Sequence, residues 1–387
     1  MSGCEHYLIN NSTNMKIPMV DLRGQYDKIK PEIDVAIQEC INSTRFIGGP
    51  VIQRFAENLG NYLDCNHVIP CANGTDALQI ALMAAGLKPG DEVIVPSFTY
   101  VATAEVIALL GLVPVMTDVD PEHFNITKDI IRQAVSVNTK AIVPVHLFGQ
   151  TAPMEGIMEI AEEYGLTVIE DNAQSLGADY KFSSGKKQKA GTIGDIGTTS
   201  FFPAKNLGAY GDGGALFTND DQLFEKIKMI ANHGQSKLYH HEVIGVNSRL
   251  DAIQAAILDV KLKYYQDYIS ARQKVADYYD QAFAEVSGLQ IPHRFKNSNH
   301  VFHQYTLKVT NGKRNELKDF LKGKGIASAI YYPVPLNEQN AFRGKGRLVG
   351  DMRITKTLCD QVLSLPIHTE MDETTLSYIT QQVKSFF

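Results

Sequence analysis

Short apolar runs alternate with helix-like segments between residues 68 and 169. The runs at 92–95, 113–116, 141–145 and 166–169 show no alternation of polar and apolar positions. Continuous apolar strands are typical of a sheet that is covered on both faces. Strands that alternate with helices predict right-handed crossovers and a mostly parallel sheet. The pattern therefore predicts an α/β fold, with a large domain in which helices flank a mostly parallel central sheet.

The pattern changes after residue 250. Residues 250–285 contain neither Pro nor Gly and predict one long helix that links two domains. Beyond Gly288 we predict a strand at 305–309, a helix at 315–321, a strand at 326–330, a Pro-containing loop and two further helices. A chain of 387 residues exceeds the size of a single core, so a second, smaller α/β domain is expected. We divide the chain into a flexible tail (1–15), a large domain (16–250), and the linking helix with the small C-terminal domain (251–387).

Composition and charge exclude several classes of function. The net charge of −6 argues against a nucleic-acid or anionic-membrane partner, and no apolar run approaches the roughly 20 residues that span a bilayer. The N-terminal residues lack the order of a signal peptide. The five cysteines form no C-x-x-C pair, which favours a reduced, cytoplasmic chain. No metal-binding motif is present, and we expect no metal.

A lysine, Lys205, stands in an apolar, Gly-rich stretch with no acidic residue within five positions. Its stem could pack while its amine reaches water. Asp171 offers another explanation, because it follows the apolar run 168–169 at the end of a predicted strand, where open α/β sheets bind ligands. A lysine that forms an imine, with an acid that holds a pyridinium nitrogen, is the combination found around pyridoxal 5'-phosphate. We predict this cofactor, with Lys205 as the catalytic residue and Gln174 within reach of the same ring.

Other residues offer contacts to such a cofactor. Gly74 and Thr75 begin a predicted helix, whose N–H groups could bind the phosphate, although an ordinary N-capped helix explains them as well. Ser200 adds a second hydroxyl just before the lysine loop. Tyr100 could stack on the pyridine ring; it could also be plain core, and Phe98 competes for the role.

Five segments follow one another in a characteristic order: 73–77 (NGTDA), 170–174 (EDNAQ), 200–208 (SFFPAKNLG), 213–214 (GG) and 247–251 (NSRLD). Together they resemble the nucleotide-sugar aminotransferases of the fold type I, aspartate aminotransferase-like superfamily, from about residue 17 to the C-terminus. The resemblance implies transfer of an amino group from glutamate to a nucleotide-linked keto-sugar. Some relatives carry His in place of Lys205 and act as dehydratases, so the lysine favours transamination.

The resemblance also implies contacts beyond the cofactor ring. Asn247 resembles an asparagine that reaches the phosphate from the neighbouring subunit, which implies a homodimer with shared active sites. Tyr331 and Tyr332 stand in a Tyr-Tyr-Pro loop where many relatives have His-Tyr-Pro facing the sugar, so we expect them to bind substrate. Arg249 is expected to bind a carboxylate, either a uronate of the sugar or that of glutamate. A surface pairing with Asp251 is the alternative.

Within the family, segments 21–26, 200–203, 233–236 and 246–249 look most similar to enzymes that aminate C3 of UDP-2-acetamido-2-deoxy-3-keto-glucuronate for surface polysaccharides. Two alternatives within the fold remain open: an aminotransferase for a dTDP- or UDP-linked 3- or 4-keto-6-deoxy sugar, and a pyridoxal phosphate-dependent dehydratase or lyase. A cofactor-free regulatory or structural protein is disfavoured by the presence of Lys205, Asp171, Ser200 and Asn247.

Overall fold

The structure, a computed structural model, describes residues 16–387, and the predicted tail 1–15 lies outside them. The strands are β1 (His67–Cys71), β2 (Glu92–Pro96), β3 (Val113–Thr117), β4 (Thr139–Ile142), β5 (Thr167–Asp171), β6 (Asp179–Lys181), β7 (Lys187–Lys189), β8 (Ile196–Ser200), β9 (Gly214–Thr218), β10 (Gln235–Lys237), β11 (His240–His241), β12 (Leu289–Gln290), β13 (Tyr305–Val309), β14 (Arg347–Val349) and β15 (Val362–Leu365). The α-helices are α1 (Leu22–Ser43), α2 (Pro50–Leu63), α3 (Gly74–Ala84), α4 (Ala102–Leu109), α5 (Lys128–Ala134), α6 (Met154–Tyr164), α7 (Asp221–Ala231), α8 (Ala252–Leu262), α9 (Tyr265–Phe283), α10 (Arg314–Gly323), α11 (Arg353–Gln361) and α12 (Glu373–Phe386).

An eight-stranded sheet forms the centre of the fold, in the order β1-β9-β8-β5-β4-β2-β3-β14. Only β9 runs against its neighbours, β1 and β8; the other pairs in the sheet are parallel. Every residue of β2 and β9 is buried, as strands covered on both faces require. The prediction of a mostly parallel central sheet flanked by helices is confirmed.

Helix α3 approaches this sheet closely at its N-terminus. The Asn73 side chain accepts a hydrogen bond from the Asp76 N–H at 2.8 Å and caps the helix. A Cβ atom on Gly214, the first residue of β9, would lie 2.5 Å from the Asn73 carbonyl. The glycine therefore allows the start of α3 to lie against the strand that follows the lysine loop.

A second, three-stranded antiparallel sheet, β12-β13-β15, lies in the C-terminal part of the chain. It shares an apolar core with α9, α10 and α12. Two elements from the same part of the sequence contact the larger unit instead: α8 packs against α1 and α2, and β14 extends the central sheet beside β3. The division of the chain at residues 250 and 251 stays a prediction.

Two predicted elements of this region are wrong. The single long helix is two helices, α8 and α9, separated by a turn at residues 263–264. The first turns of α9 share an apolar core with α8, and the rest of α9 packs into the core of the three-stranded sheet. The predicted strand 326–330 forms only isolated bridges, Ile17 with Ile326 and Ala329 with Ser364. The strands that pair with β13 are β12 and β15. β15 lies directly after α11 and is too short for its pattern to be read from sequence.

Two smaller observations complete the fold. None of the helices within residues 16–387 is both long and apolar enough to cross a membrane. Strands β6 and β7 pair antiparallel and form a hairpin with an exposed turn.

Candidate active site

Lys205 and Asp171 are brought together by neighbouring strands. Asp171 ends β5, and Ser200 ends the adjacent parallel strand β8, whose continuation carries Lys205. The loop is closed by two backbone hydrogen bonds of 2.8 Å, from the Lys205 N–H to Phe202 and from the Ala209 N–H to Phe201. Burial lowers the pKa of the Lys205 amine to about 8, although the charge of Asp171 acts in the opposite direction. The amine is therefore partly neutral near physiological pH, as a group that accepts and returns protons must be.

The carboxylate of Asp171 is buried and held by two donors. Its Oδ2 accepts a hydrogen bond from the Thr103 hydroxyl at 2.7 Å, and its Oδ1 accepts one from the Ala173 N–H at 3.2 Å. Thr103 lies in the first turn of α4 and is itself only 1% exposed. Sequence reasoning missed this residue, because a threonine early in a helix carries no distinctive signal.

Gln174 presents one defined end of its amide to the site. Its Oε1 accepts from the backbone N–H of Phe148 at 2.7 Å, and its Nε2 donates to the Tyr332 hydroxyl at 3.1 Å. Because only the amide oxygen can accept from a backbone N–H, the orientation is fixed. One Nε2 hydrogen is left for an acceptor such as the ring oxygen of the predicted cofactor. Tyr332 itself comes from the loop before β14, which joins this loop to the site.

The predicted phosphate end of the site lies where α3 meets β8. Within residues 16–387, the N–H groups of Gly74 and Thr75 have no hydrogen-bond acceptor, because the first N–H groups of a helix have no partner inside it and the Asn73 cap takes only the N–H of Asp76. A Cβ atom on Gly74 would lie 2.7 Å from Ser200 Cβ and 3.3 Å from its Oγ. The cap and the phosphate site predicted as alternatives are thus compatible. Two free N–H groups at the start of an eleven-residue helix, beside a serine hydroxyl, fit the phosphate of pyridoxal phosphate.

The structure separates the two aromatic candidates for ring stacking. Phe98 is 1% exposed and makes edge-to-face contacts with Phe124, Phe148 and Tyr332 in the core. Tyr100 is 58% exposed, and its ring centroid lies 6.3 Å from that of Tyr332. Tyr100 is therefore the candidate with a free ring face, and its stacking role stays a prediction.

The segment with Asn247 and Arg249 is anchored to the chain but leaves both side chains exposed. The Ser248 hydroxyl between them is buried and accepts a hydrogen bond from the Ala72 N–H at 3.1 Å, close to the start of α3. Among the described residues, Arg249 makes no ion pair, so the alternative pairing with Asp251 is absent. Tyr331 is half-buried, and burial raises the pKa of its phenol.

Glu170, beside Asp171, is a buried residue that sequence reasoning did not single out. Its carboxylate accepts from His146 Nε2 at 2.7 Å and from the N–H groups of residues 191, 193 and 194 at 2.9, 2.7 and 2.6 Å. The His146 Nδ1 accepts from the Ala152 N–H at 3.1 Å, which places the ring hydrogen on Nε2. Glu170 therefore ties the end of β5 to the turn that precedes β8.

Lys261 of α8 fixes the end of the lysine loop. It is 1% exposed; its Nζ donates to the carbonyl of Gly208 at 2.7 Å and lies 4.4 Å from the ring centroid of Tyr210. Burial lowers the pKa of this amine to about 8. No pattern in the sequence distinguishes it from a surface lysine.

Known proteins are similar to this chain over almost its whole length. The model of the DegT/DnrJ/EryC1/StrS aminotransferase family matches residues 27–384. The chain is 46% identical over 365 residues to UDP-2-acetamido-2-deoxy-3-oxo-D-glucuronate aminotransferase of Pseudomonas aeruginosa, covering 94% of this chain and 98% of the relative. It is 45% identical over 375 residues to a protein of Geobacillus stearothermophilus named pleiotropic regulatory protein, covering 96% and 99%. The crystal structure of NtdA from Bacillus subtilis with bound cofactor PMP matches with a TM-score of 0.86 and 30% identity, covering 95% of this chain and 84% of that one.

Proposed function

The chain belongs to the DegT/DnrJ/EryC1/StrS aminotransferase family, and on this basis we propose that it transfers an amino group from glutamate to C3 of UDP-2-acetamido-2-deoxy-3-keto-glucuronate. Family membership makes it a pyridoxal phosphate-dependent sugar aminotransferase. The choice of sugar, amino donor and site residues is the proposal. The observation that carries the proposed site is the meeting of Lys205, Asp171 and the free N–H groups of α3 at one edge of the sheet.

The proposed roles follow from the hydrogen bonds of the site. Pyridoxal phosphate, when bound, would supply the carrier for the amino group and a ring that serves as the electron sink. Asp171, held by Thr103 and Ala173, binds the ring nitrogen through its carboxylate. Gln174 donates from Nε2 to the ring oxygen, and Tyr100 covers one face of the ring.

The residues proposed to bind the phosphate and the residue proposed to transfer the proton lie on separate elements. Gly74 and Thr75 donate their N–H groups to the phosphate, and the hydroxyl of Ser200 lies beside them. Lys205 would hold the cofactor covalently at rest, and its Nζ, once displaced by the amine of the substrate, would accept and return the proton of the substrate carbon. Its lowered pKa keeps the amine available in the neutral form.

Arg249 is proposed to bind the carboxylate of the uronate sugar. An exposed guanidinium with no carboxylate partner in its own described chain can bind a carboxylate bidentately. The similarity to the glucuronate enzyme of Pseudomonas aeruginosa supports a uronate as that group. Tyr331 and Tyr332 complete the proposed sugar pocket. The product would be an amino sugar for a surface polysaccharide such as O-antigen, made in the cytoplasm, where the buried free cysteines suit reducing conditions.

We further propose that the active unit is a homodimer in which Asn247 reaches the phosphate of the neighbouring subunit. Its side chain is exposed, and large apolar side chains are exposed in the same region: Phe46 is 44% exposed and Ile47 52%. The Phe46 carbonyl accepts from the Ala252 N–H, which places this pair beside Arg249 and the start of α8. Clustered exposed apolar side chains are typical of an interface.

The reaction class is tested by the half-reaction with glutamate alone. Glutamate should bleach the visible absorbance of the holoenzyme and release one 2-oxoglutarate per site, and borohydride should fix the cofactor on Lys205. Lys205→Ala should lose the reaction with glutamate and the fixation of the cofactor by borohydride. A dehydratase would retain its absorbance or eliminate without forming 2-oxoglutarate, and a regulator without catalysis would show neither step. Turnover of Lys205→Ala near the wild-type rate would refute the mechanism.

The sugar and the shared site need separate variants. Arg249→Ala should reduce kcat/KM for the uronate keto-sugar about 10- to 100-fold, as expected for a lost charged hydrogen bond, and leave a neutral 6-deoxy analogue and the glutamate step nearly unchanged. Arg353→Ala, at an exposed arginine that begins α11, is the matched control. Equal losses with both sugars would overturn the uronate assignment. Mixed dimers of Asn247→Ala and Lys205→Ala chains should regain one intact site, and mixed dimers without activity would refute a shared site.

A further inference from the structure

The contact between Thr103 and Asp171 joins two separate parts of the chain at the cofactor site. Asp171 ends β5, whereas Thr103 lies in α4, after the loop that carries Tyr100. Both residues are buried, at 6% and 1% exposure, and their side chains meet at 2.7 Å. The carboxylate can only accept, so the single hydroxyl hydrogen of Thr103 is committed to Asp171 Oδ2.

This use of the hydroxyl is unusual for a threonine in a helix. Such a side chain ordinarily bonds the backbone carbonyl of the preceding turn, or faces solvent. Thr103 does neither: its hydroxyl donates to the Asp171 carboxylate, and its other polar neighbour is the Thr99 hydroxyl at 3.5 Å. Burying a hydroxyl in place of a methyl group costs free energy unless the hydroxyl is hydrogen-bonded, as the Thr103 hydroxyl is to Asp171.

We propose that Thr103 is a positioning residue that orients the Asp171 carboxylate toward the ring nitrogen of the cofactor. The inference rests on the proposed role of Asp171. With Oδ1 held by the Ala173 N–H and Oδ2 by Thr103, the carboxylate has one rotamer, and its remaining lone pairs have fixed directions. Without the Thr103 hydroxyl only the Ala173 N–H holds the carboxylate, which then has more freedom about its Cα–Cβ and Cβ–Cγ bonds, and its bond to the ring nitrogen weakens.

The test measures cofactor binding by the cofactor-free protein rather than turnover. The chain has no Trp, so affinity is measured by equilibrium dialysis against pyridoxal phosphate. Thr103→Val keeps the shape and removes the hydroxyl; it should weaken binding about 10- to 100-fold, the equivalent of one hydrogen bond to a charged group. Thr103→Ser should restore binding to within about threefold. Thr117→Val, at a buried threonine of β3 whose hydroxyl bonds the Val95 carbonyl, is the matched control and should bind normally.

A second readout separates positioning from a merely structural effect. The absorbance of the bound cofactor should change with pH at a midpoint shifted by about one pH unit in Thr103→Val, in line with a tenfold weaker charged contact, and at the normal midpoint in Thr103→Ser. In a double-mutant cycle with Asp171→Asn, Thr103→Val should add little to the loss caused by Asp171→Asn. If Thr103→Val does not fold, Thr103→Ala enters the same cycle.

The possible failures are distinguishable. Wild-type affinity and an unchanged pH midpoint in Thr103→Val would overturn the inference, and so would losses that add fully in the double variant. If Asp171→Asn itself binds the cofactor normally, the proposed role of Asp171 fails and takes this inference with it. If Asp171→Asn is impaired while Thr103→Val is not, the inference about Thr103 fails alone.

Discussion

Gly74→Ala is the sharpest perturbation of the proposed phosphate site. The new Cβ would lie 2.7 Å from Ser200 Cβ and 3.2 Å from Ser200 Cα. Carbon atoms pack at about 3.5–4.0 Å, so the start of α3 and the end of β8 must separate by about 1 Å. Gly74 is not among the glycines with positive φ, so the effect is steric rather than conformational.

The expected magnitude follows from overpacking. Forcing one carbon into a closed contact costs about 1–3 kcal/mol, partly offset by the better helix propensity of Ala, worth up to about 1 kcal/mol. The strain falls on the two elements that hold the phosphate, so we expect cofactor affinity to fall about 10-fold or more, since about 1.4 kcal/mol is a factor of ten. The cofactor-free protein should lose no more than about 2 kcal/mol of unfolding free energy.

The assay is equilibrium dialysis of pyridoxal phosphate, with urea unfolding of the cofactor-free variants. Gly323→Ala is the matched control: this helical glycine has no atom within 4 Å of a built Cβ, so the variant should bind normally and be slightly more stable. Ser200→Gly removes the clashing Cβ, so the cost of Gly74→Ala to stability should fall in that background, although the 3.2 Å contact with the Cα atom of residue 200 remains. If Gly74→Ala binds the cofactor as tightly as the wild type, α3 does not hold the phosphate.

Three further predictions concern buried charges near the site. Because the Lys205 amine must be neutral to react and its pKa is lowered to about 8, the rate at which cofactor-free protein becomes borohydride-trappable with pyridoxal phosphate should rise with pH and level off above about 8; a rise that continues to the ordinary lysine range would contradict this. Because the pKa of Lys261 is lowered to about 8, the Lys261 amine keeps its proton in the unfolded chain but loses it in the folded chain between about pH 8 and 10.5. The free energy of unfolding of the wild type relative to Lys261→Met should therefore rise with pH across that window, by up to about 3 kcal/mol. A difference in urea unfolding that does not depend on pH would refute this. Glu170→Gln places an amide nitrogen against N–H donors and should cost about 3 kcal/mol or more in unfolding free energy, and a loss below about 1 kcal/mol would show that the contacts are weak.

The sequence by itself determined the central sheet and the chemistry of the site. Short apolar runs without alternation, each followed by a helix-like segment, are typical of strands buried on both faces, so the mostly parallel sheet and its flanking helices followed from local pattern. Lys205 and Asp171 could be singled out because a lysine in an apolar stretch and an acid at a strand end each need a reason. A capped helix start at Gly74 and Thr75 was readable because capping is local, although only the structure identified Asn73 as the cap.

Only the tertiary structure decided which residues support that chemistry. Thr103 meets Asp171 across 68 residues, and Lys261 meets Gly208 across 53; contacts between distant segments leave no trace in either local pattern. Which of the two rings, Phe98 or Tyr100, is buried depended on how the core packs. So did the end of α8, because α9 passes from the core that it shares with α8 to the core of the three-stranded sheet. Periodicity records how a segment divides polar from apolar positions, whereas the identity of the atoms across a contact is set by how the strands and helices pack together.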